Sequence, residues 1–212
     1  MIDEGGYKQN SIKEGYGLLL RHLENLCLQQ GVQILVNEEV RAIDFSADTI
    51  AVQTQNSNFT ASQVVVTVPL PLIKEIAFTP AIPSKVAAAE DIGFGMVIKV
   101  LLRFKTKWWS SPDREKNFER MFFMFSNEKI PTWWTQYPEP RNVLTGWLAG
   151  PKAAAYKDSS DDSVLADALE SLSNIFKISV EKLKDELVAS SVNNWPQDKF
   201  AQMGYSYETP ES

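Results

Sequence analysis

Residues Asp91–Trp109 read DIGFGMVIKVLLRFKTKWW. Gly93-Phe94-Gly95 reads as a turn, and it opens an apolar run from Met96 to Phe104. Alternation along that run predicts a strand with Val97, Lys99 and Leu101 on one face and Ile98, Val100 and Leu102 on the other. Lys99 is thereby set among residues that look buried, where a lysine rarely sits without a partner or a task. The residues alone leave two readings open. Lys99 is either a snorkelling or salt-bridged lysine near a strand end, or a functional amine.

Before this run, residues 17–30 carry Leu19, Leu23, Leu26 and Cys27 at helical spacing, and Gly31 suits a left-handed helix end. Val32–Val36 reads as a short strand and Val40–Phe45 as a second, with Val40 and Ile43 turned inward. Two further strands flank Asn56-Ser57-Asn58 as a hairpin. Gln63–Val68 (QVVVTV), β-branched from Val64 on, reads as a central strand buried on both faces. Pro69 and Pro71 end it. Leu72–Ile76 fits a helical turn, and Ser84 is placed to cap a helix over 85–91.

After it, 110–117 lie in a charged loop. Residues 120–125, 132–136 and 142–149 read as strands. Asp161 or Asp162 is placed to cap a helix through about Phe176, with Val164, Leu165, Ala168, Leu169 and Leu172 on one stripe. Ser179 caps another through Leu187, and 188–193 forms a last strand. The economical architecture is one α+β domain over 1–212. Its sheet is mixed, mainly antiparallel and about six-stranded, with helices alongside and flanking segments at 1–15 and 196–212.

Composition narrows the function. The 212 residues are 44% hydrophobic and 23% charged, ordinary for a globular chain. A net charge of −6 without a basic stripe argues against nucleic acid or an anionic membrane as partner. The one cysteine, Cys27, reads as a small buried hydrophobe in a reduced, cytoplasmic setting. With the single histidine, His22, an HExxH site and a multi-histidine metal cluster are excluded. No GxGxxG unit opens a helix after a strand. Trp108, Trp109, Trp133, Trp134 and Trp147 suit either core or pocket wall, and Phe122, Phe123 and Phe125 read as core.

The order of features carries more. GYGLLLRHLENLCLQQGVQILVNEEVRAI, then VVVTVPLPLIK, FTPAIPSK, IGFGMVIKVLLRF…WW and finally WPQDKFAQMGYSY resembles the flavin-containing amine oxidases. The resemblance implies the inserted substrate-binding lobe of such an enzyme, without the FAD-binding lobe that carries the dinucleotide fingerprint. It implies that Lys99 is the lysine reaching the flavin through a water, and that Val40 holds the adenine end of FAD through its backbone. It puts Pro69 where the chain turns away from the cofactor lobe. Tyr205 falls on one aromatic of the pair that sandwiches the amine. Gly204 stands where some members carry a cysteine bound to FAD, so attachment there is non-covalent.

The implied chemistry is oxidation of a small-molecule amine to an imine, with dioxygen reduced to hydrogen peroxide. The chain alone is expected to hold no FAD and to be inactive. Its face toward the missing lobe is expected to be apolar and prone to self-association. Two alternatives stand beside this reading: a non-catalytic binding module that reuses the fold, and a flavin-dependent desaturase-like relative.

Overall fold

The computed structural model describes residues 12, 15–110, 118 and 121–210. Helix α1 (Tyr16–Gln29) ends as its sequence dictates. Gly31 takes φ 78°. The Val32 amide donates to the Cys27 carbonyl and the Gly31 amide to that of Leu28, each at 3.0 Å. This doubly bonded exit needs a residue free of Cβ at the left-handed position.

A four-stranded mixed sheet follows, built from β1 (Val40–Asp44), β2 (Ile50–Thr54), β3 (Asn58–Ala61) and β4 (Ala77–Thr79). Its order is β3-β2-β1-β4, with β4 parallel to β1. Between β3 and β4 lies a 3-10 helix, Leu70–Glu75. Helix α2 (Pro83–Glu90) starts two residues earlier than a Ser84 cap would place it, because Pro83 occupies the first turn, where its fixed φ is favoured.

The Asp91–Trp109 stretch forms two strands, β5 (Gly93–Gly95) and β6 (Val97–Phe104). Beyond it come β7 (Met124–Phe125), β8 (Thr132–Thr135) and β9 (Val143–Ala149). A short helix α3 (Pro151–Ala154), α4 (Asp161–Phe176) and α5 (Val180–Glu186) lead to β10 (Leu187–Asn194) and β11 (Tyr205–Tyr207). The second sheet is antiparallel throughout, in the order β10-β6-β9-β8-β7. The α+β architecture is as expected, but the strands divide over three sheets rather than one. Ser110, the start of the predicted loop over 110–117, ends a 3-10 turn with Trp108 and Trp109; the rest of that loop and the start of the 120–125 strand lie outside the described residues.

One face of the five-stranded sheet builds the core. Ile98, Val100 and Leu102 of β6 oppose Leu148, Gly146 and Leu144 of β9, and Trp133 of β8 follows in the same row as Gly146. Helix α4 covers them with Val164, Ala168, Leu169 and Leu172. The Ser160 hydroxyl, not Asp161 or Asp162, caps α4 by accepting the Ser163 amide at 3.2 Å, and the two aspartates lie in the first turn. Trp108 and Trp109 close one end of this core in edge-to-face contact with Phe104 and with each other.

Several apolar stretches meet no such cover. α1 has no buried residue, so Cys27 is exposed rather than packed. Val32–Val36 and Gln63–Val68 form no strand. Val65 is 84% exposed, against the expectation of a strand buried on both faces. Both runs are extended chain without a neighbouring strand among the described residues, and an apolar pattern alone does not say which chain will pair with it. Phe122, Phe123 and Phe125 are also exposed, not core. They sit at the edge strand β7, on or beside the sheet face that α4 does not cover.

Candidate functional site

The uncovered face of the five-stranded sheet follows from register. Lys99 lies between Asn193 of β10 and Trp147 of β9, and Trp147 in turn opposes Thr132 of β8. Leu101 lies between Ser191 and Thr145, and Thr145 opposes Trp134. The predicted alternation along β6 holds, and Lys99 is half-buried. Among the described residues no carboxylate reaches its ammonium. Its Nζ instead lies 6.0 Å from the centroid of the Trp134 ring, at the outer range of a cation–π contact.

The tryptophans divide by strand parity. Trp133 points into the core, fully buried, with its indole N–H donating to the Ile130 carbonyl at 2.9 Å. Trp134, one residue on, must face the other way. From Lys99 outward the rings form a chain. Trp147 and Trp134 are 6.2 Å apart, Trp134 and Phe123 5.6 Å, and Phe123 and Phe125 6.1 Å and nearly parallel. Sequence reasoning left the tryptophans undivided; the Trp133-Trp134 pair inside a strand was the signal that could have split them.

The C-terminal segment that carries Tyr205 meets the chain just before β6. β11 pairs antiparallel with β5, Tyr205 opposite Gly95 and Tyr207 opposite Gly93. The Gly-Phe-Gly unit is thus a strand and not a turn, and its glycines have a packing reason. A Cβ on Gly95 would lie 2.1 Å from the Tyr205 ring, and one on Gly93 2.3 Å from the Tyr207 ring. The tyrosines rest on bare backbone. Gly204 donates its amide to the Gly95 carbonyl at 2.9 Å, and a Cβ there would meet the Val97 side chain at 2.5 Å. Val97 precedes Lys99 by two residues on the same face, so the structure brings Gly204-Tyr205 to the Lys99 strand. Tyr205 and Tyr207 also line a cavity of about 440 Å³ with Phe94, Met96 and Pro151.

Val40 stands apart from Lys99. It lines a cleft of about 800 Å³ between β1, the 3-10 helix and the segment 199–202, together with Leu35, Val68, Leu72 and Phe200. Pro69 is half-buried beside this cleft and starts the 3-10 helix, its carbonyl accepting the Leu72 amide at 2.9 Å. Glu39 ties the two sides together, accepting from Lys199 at 2.7 Å and from Arg41 at 3.0 Å. The Lys199 ammonium, more than Arg41, holds the Glu39 carboxyl below the usual range. Glu38 accepts from the Thr54 hydroxyl and, at 3.0 Å, from that of Ser57, fixing the cleft wall to the β2–β3 hairpin. The same C-terminal segment therefore touches the Val40 cleft at 199–202 and the Lys99 strand at 204–205.

Comparison with known proteins decides what this layout belongs to. The family model described as flavin containing amine oxidoreductase matches residues 2–212. The chain belongs to that family. Human lysine-specific histone demethylase 2 is 26% identical over 200 residues, covering 91% of this chain and 23% of the relative. Polyamine oxidase 2 of Arabidopsis thaliana is 28% identical over 207 residues, covering 92% of this chain and 39% of the relative. Cyclohexylamine oxidase from Brevibacterium oxydans IH-35A shares the fold, with a TM-score of 0.71 at 15% identity over 92% of this chain and 42% of that one. This amine oxidoreductase chain thus spans well under half the length of these relatives. Flavin chemistry is the family's property. Among the described residues no cluster of three or more His, Cys, Asp or Glu could hold a metal ion, and no helix is long and apolar enough to cross a membrane.

Proposed function

We propose that residues 1–212 form a single substrate-facing unit of an FAD-dependent amine oxidase, flanked by connecting segments at 1–15 and 196–212. The observation that carries this is the open sheet face. Lys99 stands there with no carboxylate partner among the described residues, beside the Trp134 and Trp147 rings, and Gly204 packs onto the same strand against Val97. The residues fit one side of a flavin. The face offers a donor amine and aromatic walls, and the Val40 cleft offers backbone and apolar surface for the adenine end, with Pro69 beside it. Position 204 has no side chain to bond to the cofactor and no room for one beside Val97, so attachment there is non-covalent.

When bound, FAD supplies the electron acceptor for oxidation of a C–N bond, with dioxygen as the final oxidant. The chain's own residues orient and exclude. Lys99 Nζ donates to a water or to the substrate nitrogen. Trp134 and Trp147 keep bulk water from that nitrogen and favour the neutral amine. Tyr205 forms one wall for the reacting carbon. The imine product then hydrolyses to a carbonyl.

The uncovered stretches support the same reading. α1, Val32–Val36 and Gln63–Val68 are the surface a flavin-binding lobe would bury. A reducing, cytoplasmic setting suits the exposed Cys27. On this view the chain by itself retains no flavin and turns over no amine. The function is tested in the intact gene product by screening amines for peroxide release and for anaerobic loss of flavin colour. Amine-dependent bleaching is expected, and a product that binds no flavin or responds to no amine refutes the proposal.

A further inference from the structure

Glu39 makes two ion pairs of different reach. Arg41 lies two residues on, and its contact with Glu39 at 3.0 Å joins nothing distant. Lys199 is 160 residues away in sequence, and its ammonium donates to the same carboxylate oxygen at 2.7 Å. That second contact fastens the start of β1 to the C-terminal segment across the Val40 cleft, whose wall includes both residues.

Local bonds make the fastened segment a stiff turn. The Asp198 carboxylate accepts the Phe200 amide at 2.8 Å, and the Asp198 carbonyl accepts the amides of Gln202 at 3.0 Å and Ala201 at 3.3 Å. Gln202 takes φ 58°, a left-handed conformation that few residues other than glycine adopt. Upstream, the Gln197 side chain donates to the Ser159 carbonyl at 3.0 Å. Downstream, Gly204 bonds to Gly95 and Tyr205 opens β11. A shift of the turn at Lys199 is therefore passed to Tyr205 through a few bonded residues. β11 has little of its own to resist it. Its sheet has two strands of three residues each, a size at which a ladder is marginal alone.

We propose that Glu39 is a positioning residue for Tyr205: its ion pair with Lys199 latches the turn at 198–202 to β1 and so sets where the Gly204-Tyr205 strand lies against β5. The consequence for catalysis rests on the amine oxidase reading above, whereas the latch itself does not.

Hydrogen exchange in the intact gene product tests the latch. In Lys199→Met, exchange at 205–207 should quicken about two- to fivefold, the shift an exposed ion pair can impose, with the urea midpoint unmoved. Glu39→Gln should match it, and the double variant should go no further, as loss of one shared contact requires. Lys199→Arg should restore the original exchange. Arg41→Met removes the other cation from the same carboxylate and should leave 205–207 as in wild type. Unchanged exchange in Lys199→Met, equal quickening in Arg41→Met, or an additive double variant overturns the latch. In the flavin-loaded product, Lys199→Met should slow flavin bleaching at saturating amine by a similar factor, and Lys199→Arg should recover it. Bleaching that Lys199→Met leaves unchanged overturns the positioning of Tyr205. Failure of every amine to bleach the flavin overturns the amine oxidase reading and leaves the latch to stand or fall on exchange.

Discussion

Single atoms decide much of this chain, and glycines show it best. A Cβ on Gly146 would lie 2.8 Å from the Trp133 ring and 3.0 Å from Ile130, inside the closed core. Gly146→Ala should cost about 1–3 kcal/mol, as overpacking does, and lower the midpoint of urea unfolding. Gly95→Ala presses on Tyr205, which is partly exposed and can swing away. It should leave the midpoint nearly unchanged while abolishing amide protection at 205–207. Asp167 makes a third residue-scale prediction. Burial pushes its carboxyl up, but the Lys129 ammonium and the Tyr156 hydroxyl, donating at 2.6 and 2.8 Å, more than offset this and hold it below the usual range. Tyr156 is pushed up to about 12, chiefly by burial and then by Asp167, and so remains a donor. A depressed carboxyl stabilises the fold above its unfolded value, near 4, and the stability is lost as pH falls through the folded value. Asp167→Asn should therefore be less stable than wild type at pH 7, with the difference closing on acidification below pH 4 in thermal melts.

Helices were legible as elements because their ends are written locally. Ser160 and Ser179 precede α4 and α5 and cap them, and Gly31 ends α1. The alternation that split β6 into two faces was equally local. The Gln63–Val68 run was not legible, because a β-branched hexamer looks the same whether its neighbour strands lie in this chain or outside it. The candidate site divided the same way. Lys99 could be singled out from its own strand, whereas its setting between Asn193 and Trp147 depends on pairings across the sequence. The Gly93 and Gly95 reading failed because their constraint comes from tyrosines over a hundred residues later. At this scale hydrogen exchange separates the two kinds of strand. Amides of 98–102 and 144–148 should be protected to near the global unfolding limit, and those of 32–36 and 63–68 should exchange within the fastest class. Slow exchange across 63–68 would mean that the run pairs after all.

Over the whole molecule the two faces of one sheet have different partners. α4 and α5 close the core on one side, and no helix among the described residues covers the Lys99 side, the side the proposal assigns to cofactor and substrate. α1 and the two unpaired runs add a further apolar surface. Surface of that extent drives association when nothing covers it. The chain alone should bind a hydrophobic dye strongly and grow in apparent mass with concentration in light scattering. A strictly monomeric, dye-negative chain would show that these residues fold back in solution. The claim on which everything else turns is that the Lys99 face meets a flavin and an amine. Anaerobic stopped-flow bleaching of the flavin by the amine that the peroxide screen selects, in the intact gene product and its Lys99→Met variant, measures this directly. Bleaching in both, slowed on the order of 10²-fold in the variant, is expected for a positioned proton-handling amine. Equal rates in the two proteins would place Lys99 outside the reaction and remove the basis for assigning the face.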